Sequence, residues 1–184
     1  MRRILISSLL LIGLCGAEPA NRPLSPGLKT GQRPGPYSFL IATGPNRGQS
    51  FCFICETGER PAMIVFARSI SEPLAKLATR CDTVLDDTPK DAAMGWMTVL
   101  GEKTITPDAL ALWSQKAGLK RLTTGVFDDA DGPPAYKLAN DADIVVLMFV
   151  GRKVTSSEAF RAKELSDTAI DRIVAAFKAL TEKK

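Results

Sequence analysis

The chain has 184 residues, of which 45% are hydrophobic and 24% charged, the composition of one ordinary globular domain. Its formal net charge is +4 without a run of like charge, so it lacks the basic stripe of a nucleic-acid-binding protein, and we expect no nucleic-acid partner. It contains no histidine, which excludes Ser-His-Asp and Cys-His catalysis within this chain and removes the commonest zinc ligand. We therefore expect any chemistry to depend on Cys, Asp, Glu, Lys or Tyr side chains.

Residues 1–17 have the pattern of a secretory signal peptide. Arg2 and Arg3 precede an apolar run over residues 4–14, and small residues end at Ala17. The run is shorter than the about 20 apolar residues of a membrane-spanning helix, so we expect cleavage after Ala17 and no transmembrane helix in the mature chain. An alternative is a lipid anchor at Cys15, where a bacterial lipoprotein signal would end. Either outcome predicts an exported protein, periplasmic or extracellular, in an oxidising compartment.

Residues 18–36 hold five prolines and almost no apolar periodicity. We interpret them as a mobile Pro/Gly-rich linker that precedes a single domain over residues 37–184. The domain opens with two candidate strands, Tyr37–Thr43 and Gln49–Ile54, joined by a turn-forming cluster at residues 44–48. This pattern predicts a β-hairpin.

Cys52 lies in the second arm of that hairpin and Cys55 follows directly after it, and together they form a Cys-x-x-Cys pair. The spacing suits reversible disulfide exchange or two ligands of a soft metal ion. On a continuous strand the two side chains would point to opposite faces, so the backbone must turn near the pair before the sulfurs can meet. The bulky Phe53 and Ile54 that separate the cysteines weaken the redox hypothesis.

The remaining sequence alternates between strand and helix patterns. Strands are predicted at residues 62–67, 94–100, 122–127, 143–150 and 153–156, and helices begin near Ser71, Thr106, Pro133 and Ser166. The first and fourth of these strands are apolar nearly throughout, as expected of strands covered on both faces.

Two groups of side chains in these elements have a predicted role. Cys81 shares a helical stripe with buried-type residues, which predicts a buried, unpaired thiol, and the next helix presents a stripe of its own. The first stripe contains Leu74, Leu77, Ala78 and Leu85, and the second contains Leu110, Leu112, Trp113 and Ala117. Acidic residues at 128, 129 and 131 resemble the start of a calcium loop, but the other EF-hand ligands are missing, so we expect no metal ion and no cofactor.

Residues 61–181 resemble the thioredoxin-like superfamily, in particular its exported thioredoxin-like and peroxiredoxin-like domains. The resemblance lies in the order of elements and in two stretches, PAMIVFAR at residues 61–68 and YKLANDADIVVLMFVGRKV at residues 136–154. It implies an α/β fold, a thioredoxin-like three-layer sandwich whose central mixed sheet carries an N-terminal β-hairpin extension.

The sequence departs from that family at its usual active site. The family's redox cysteines follow the central strand, whereas residues 69–73 contain no cysteine. The family also has a cis-proline just before the later strand, and the equivalent residues 142–144 contain no proline. These departures favour an exported interaction module, non-catalytic or weakly redox-active, that binds a protein partner or protein thiols and uses Cys52 and Cys55 as a clip.

Two alternatives keep a chemical role for the cysteines. One is a thiol–disulfide oxidoreductase that uses the displaced pair Cys52 and Cys55, with Arg47 or Arg60 as the cation that stabilises a thiolate. The other is capture of a soft ion such as Cu(I) by the pair, with Cys81 as a third ligand.

Overall fold

The computed structural model describes residues 23–101 and 103–182. Over these ranges the chain forms seven strands, four α-helices and a short 3₁₀ helix. In chain order they are β1 Phe39–Ile41, β2 Ser50–Phe51, α1 Phe53–Thr57, β3 Ala62–Ala67, α2 Glu72–Asp86, β4 Met94–Leu100, α3 Pro107–Lys116, β5 Thr123–Phe127, the 3₁₀ helix Pro134–Tyr136, β6 Ile144–Val150, β7 Lys153–Phe160 and α4 Asp167–Thr181.

The strands form one mixed sheet in the order β2-β1-β5-β4-β3-β6-β7. Strand β3 lies in the interior, parallel to β4 and antiparallel to β6, with Ile64 opposite Leu147. The two apolar runs in the sequence are therefore interior strands, as predicted, and the α/β class with a central mixed sheet is confirmed. Side chains along β3 are buried on both faces because both faces of the sheet are covered.

The sheet separates two hydrophobic cores. Met63 and Val65 face the core that also contains the buried side of α2, α3 and α4. Ile64 and Phe66 face the second core, which contains Trp96. Short elements cover this second face: α1, the 3₁₀ helix and residues of the N-terminal segment. The cysteine pair belongs to this second layer.

Helices α2 and α3 begin where the capping pattern predicts. The Ser71 hydroxyl accepts a hydrogen bond from the Leu74 amide at 3.3 Å, and the predicted stripe below it, including Cys81, is buried. The predicted stripe of α3 is wrong in one member, because Leu112 is 52% exposed. Ser114 is buried instead, where its hydroxyl bonds to Thr124 at 2.9 Å, so a polar pair replaces an apolar contact.

The expectation of a mobile linker is wrong for residues 23–36, which pack on the domain. Leu28 is buried in the second core. The Gly31 amide donates to the Val154 carbonyl at 2.8 Å, and the Val154 amide donates to the Gln32 carbonyl at 2.9 Å. Strand β7 is an edge strand, and such a strand leaves backbone groups that need partners. The predicted signal peptide, Cys15 and residues 18–22 lie outside the described residues.

Within the described ranges, no helix is long and apolar enough to cross a membrane. The acidic loop after β5 is organised by its own backbone, since the Asp131 amide donates to the Asp129 carboxylate at 2.9 Å. No group of three or more potential metal ligands occurs among residues 23–101 and 103–182.

Candidate functional site

The backbone turns at Cys52, which brings the two cysteines together. The predicted hairpin is confirmed, because β1 and β2 pair antiparallel, but its second arm is shorter than the predicted residues 49–54: β2 ends at Phe51 and α1 begins at Phe53. Cys52 is the N-terminal cap of α1 in an extended conformation, and the Cys55 amide donates to its carbonyl at 3.2 Å. The two sulfur atoms lie 2.7 Å apart. A strand would have placed them on opposite faces, whereas one helical turn places them on the same side.

The residues between the cysteines anchor this turn to the core. The Phe53 ring stacks on Trp96 at 5.4 Å and on Phe39 at 5.5 Å, and meets Phe51 edge-on at 4.9 Å between ring centroids. Ile54 is 3% exposed. An isolated helix of five residues is unstable in water, so these contacts hold α1 in place. The bulky residues that we expected to hinder the redox hypothesis instead fix the position of both sulfurs.

Three side chains, those of Thr57, Arg60 and Arg152, satisfy the last four carbonyl groups of α1, at residues 54–57. The Thr57 hydroxyl donates to the Ile54 carbonyl at 2.9 Å, and Arg152 Nη2 donates to the Cys55 carbonyl at 3.4 Å. The Arg60 guanidinium donates to the carbonyls of Glu56 and Thr57. Helix ends leave such groups without internal partners. Two guanidinium groups therefore supply what a longer helix would supply by itself.

Only one sulfur of the pair is freely accessible. Cys55 is exposed, whereas Cys52 is half-buried against the second core. The pKa of the Cys55 thiol is raised, chiefly by its hydrogen bond to Cys52 and in part by the negative charge of Glu56, while the positive charge of Arg152 lowers it. The strongest influence on the Cys55 thiol is therefore the neighbouring sulfur, 2.7 Å away.

The cation beside the pair is not one of the two predicted from the sequence. Arg47 forms an ion pair with Asp108 at 2.7 Å on α3. Among the described residues, Arg60 bonds to carbonyl groups at the end of α1, whereas Arg152 is the arginine whose charge acts on Cys55. Strand β6 runs antiparallel to β3, so the turn after β6 must lie near the start of β3. That topological argument could have pointed to Arg152.

The pair lies at the opposite end of β3 from the family's usual redox position. Helix α1 precedes β3, so the six residues of the strand, about 16 Å at 3.3 Å per residue, separate the two ends. At the far end the Arg68 guanidinium donates to the carbonyls of Ala142 at 3.0 Å and Ala139 at 3.3 Å, and to that of Ala130. Hydrogen bonds that tie loops together therefore occupy the position where the family places its cysteines.

Cys81 does not join the pair. It lies on the buried side of α2 and is 0% exposed in the first core, while Cys52 contacts the second core on the other face of the sheet. Burial raises the pKa of the Cys81 thiol to about 12. The set of three cysteines considered for a soft metal ion is therefore not brought together.

A comparison with known proteins gives the fold its name. No protein-family model matches the chain, and a search of curated proteins finds no match. A provisionally assigned protein disulfide isomerase from Bacteroides thetaiotaomicron superposes with a TM-score of 0.65 at 12% identity, over 85% of this chain and 92% of that chain.

Two further solved structures are similar. One is a secreted Mycobacterium tuberculosis disulfide oxidoreductase homologous to E. coli DsbE, with a TM-score of 0.55 at 14% identity over 76% of this chain and 95% of that chain. The other is peroxidoxin BcpB from Mycobacterium tuberculosis, with a TM-score of 0.55 at 15% identity over 83% and 98%. At these identities the likeness shows the fold, which is thioredoxin-like.

Proposed function

We propose that this thioredoxin-like chain is an exported thiol–disulfide oxidoreductase whose redox centre is the displaced pair Cys52 and Cys55. The observation that carries the proposal is the contact between the two sulfurs, 2.7 Å apart, in a turn anchored to the core and with one sulfur exposed. A pair held in this way can open and close without rearrangement of the fold, and a protein substrate can reach it.

The reaction is an exchange with a disulfide in another protein. The Cys55 thiolate attacks one sulfur of the substrate disulfide and forms a mixed disulfide, while the other substrate sulfur leaves as a thiolate and takes up a proton. The Cys52 thiolate then attacks Cys55, closes the internal disulfide and releases the second substrate thiol. Two electrons pass from the pair to the substrate, and the reverse sequence oxidises a substrate dithiol.

Access decides which sulfur meets the substrate. The hydrogen bond within the pair raises the pKa of the Cys55 thiol, and the positive charge of Arg152 works against that rise. Attack on a protein disulfide also requires that the sulfur can reach it, and the two cysteines differ in exposure. Cys55 is exposed and Cys52 is half-buried, so Cys55 forms the mixed disulfide and Cys52 resolves it.

The compartment follows from the sequence pattern. Residues 1–17 resemble a signal peptide, and an exported protein meets the disulfide-bonded substrates that this reaction needs. Mass spectrometry of the protein secreted by its host should give a mature chain that starts near Glu18. A chain that starts at an acylated Cys15 would replace simple cleavage by lipid anchoring.

The deciding experiment measures the oxidised fraction of the pair across glutathione buffers, together with insulin reduction. We expect a single two-electron transition, in which a tenfold change in the equilibrium constant corresponds to about 30 mV. Cys55→Ser should abolish turnover, and Cys52→Ser should accumulate the mixed disulfide. Cys81→Ala, which changes a cysteine outside the pair, is the matched control and should retain turnover.

Two results would overturn the proposal. A pair that stays oxidised in every buffer is a structural clip. The chain is then a non-catalytic interaction module, the interpretation that the lack of a cysteine at residues 69–73 favours. Turnover that survives Cys55→Ser would assign any activity to another group.

A further inference from the structure

The turn between β6 and β7 has an unusual residue at its second position. Gly151 and Arg152 form a two-residue connection, because Val150 pairs with Lys153 across it. Both have positive φ, at 55° for Gly151 and 56° for Arg152. Such a hairpin turn needs positive φ at both central positions, and Asn, Asp and Gly are the residues that adopt it with least strain. Arginine at this position is strained, so the turn by itself does not account for its side chain.

The turn lies against α1 and the residues that follow it. A Cβ added to Gly151 would come 2.5 Å from Oε2 of Glu59, two residues after the end of α1, so a side chain here would require the Glu59 carboxylate to move. Arg152 reaches α1 with its guanidinium, which donates to the Cys55 carbonyl at 3.4 Å across 97 residues of sequence. A strained residue whose side chain ends at a candidate site is the pattern expected of a functional constraint.

We infer that Arg152 is a positioning residue of the redox pair, which holds the Cys55 end of α1 and stabilises negative charge on the Cys55 sulfur. The inference rests on the proposed redox function. The charged and titratable groups that face this sulfur are Cys52 and Glu56 on its own helix and Arg152 from the turn. Arg152 is thus the cation among them, opposite one carboxylate and one thiol.

The consequence is a more oxidising pair. A cation beside Cys55 stabilises the reduced form of the pair when that form carries a thiolate, and it leaves the neutral disulfide unchanged. The same charge stabilises Cys55 when it leaves as a thiolate from a mixed disulfide, which accelerates that step.

Substitution of Arg152 separates this role from a structural one. Arg152→Gly removes the guanidinium and the strain together, so the folded chain should become more stable or stay unchanged while Cys55 becomes less reactive. We measure iodoacetamide alkylation of Cys55 against pH in the Cys52→Ser background, where the thiol left besides Cys55 in the described chain is the buried Cys81. The rate near neutral pH should fall roughly threefold, the change that half a pKa unit produces.

Four companion measurements complete the test. Arg152→Lys keeps the charge and should restore most of the rate, and 1 M salt should shrink the difference between wild type and Arg152→Gly because the charge is exposed. Arg47→Gly, which removes an exposed arginine paired with Asp108, is the matched control and should leave the pH profile unchanged. With Cys52 restored, Arg152→Gly should need a more reducing glutathione buffer for half-reduction.

The outcomes distinguish this inference from the proposed function. Identical pH profiles for wild type and Arg152→Gly would overturn the role of Arg152, even if the wild-type pair cycles normally in glutathione. A wild-type pair that does not respond to glutathione would overturn the redox function itself, whatever the alkylation profiles show. Equal loss of reactivity in Arg152→Lys and Arg152→Gly would also overturn the inference, because charge would then have no part in it.

Discussion

Phe53 should contribute more to stability than its position in a short exposed turn suggests. Its ring meets Trp96, Phe39 and Phe51 at centroid distances of 5.4, 5.5 and 4.9 Å. Truncation of a fully buried Phe to Ala costs about 3–5 kcal/mol, and each aromatic pair adds about 0.5–1.5 kcal/mol beyond the buried area. Because Phe53 is only partly buried, we expect Phe53→Ala to lower the free energy of unfolding by ~2–3 kcal/mol, below the cost for a fully buried ring.

Urea denaturation of the reduced protein measures this loss directly. Phe53→Leu keeps most of the apolar volume and loses the ring contacts, so its cost should be near ~1 kcal/mol. Leu112→Ala changes an apolar side chain that is 52% exposed on α3 and should stay within about 0.5 kcal/mol of wild type.

Phe53→Ala should also weaken the disulfide between Cys52 and Cys55. Without Phe53 on the core, α1 has too few residues to keep its helical turn, so Cys52 and Cys55 spend less time in contact. Phe53→Ala should therefore reach half-oxidation only in a more oxidising glutathione buffer than wild type. If its free energy of unfolding lies within about 0.5 kcal/mol of wild type and its glutathione titration does not move, the ring contacts do not hold the pair.

Three further predictions concern the rest of the molecule. Val65→Asp places a charge in an interior strand at a position 1% exposed and should prevent folding; soluble protein that unfolds cooperatively would refute the assigned core. Burial raises the pKa of Cys81 from about 9 to about 12. Its stabilising contribution is therefore complete below pH 9 and is lost as the pH rises towards 12, because the thiol ionises first in the unfolded chain. Cys81→Ala should remove this part of the pH dependence of unfolding, and rapid labelling of Cys81 in the native protein would contradict the assigned burial. The Asp82 carboxylate accepts hydrogen bonds from the backbone N–H groups of residues 120–122 at 2.7 to 3.1 Å. In urea unfolding, Asp82→Ala should lower the free energy of unfolding by ~3 kcal/mol or more, and Asp82→Asn should lower it distinctly less. Equal small losses in the two variants would show that water replaces the carboxylate.

The sequence by itself determined the layered α/β fold. Ala62–Ala67 lies in the strand bounds that its apolar run predicts, and the Ser71 cap and the stripe through Cys81 define α2 as expected. These features are local: strand and helix periods follow from backbone geometry, and a run apolar on both faces has a stable place only inside a covered sheet. The resemblance to thioredoxin-like proteins rested on the same patterns.

The tertiary structure alone decided the site. Whether Cys52 and Cys55 face apart or touch depends on a five-residue helix that local propensity cannot stabilise, and its stability comes from Phe53 against Trp96 and from Arg152, 97 residues beyond the carbonyl it binds. Residues 23–36 likewise read as a linker, because nothing in their composition records that the edge of β7 offers them partners. A contact between distant residues leaves no period in the sequence, so the fold could be predicted and the geometry of the cysteine pair could not.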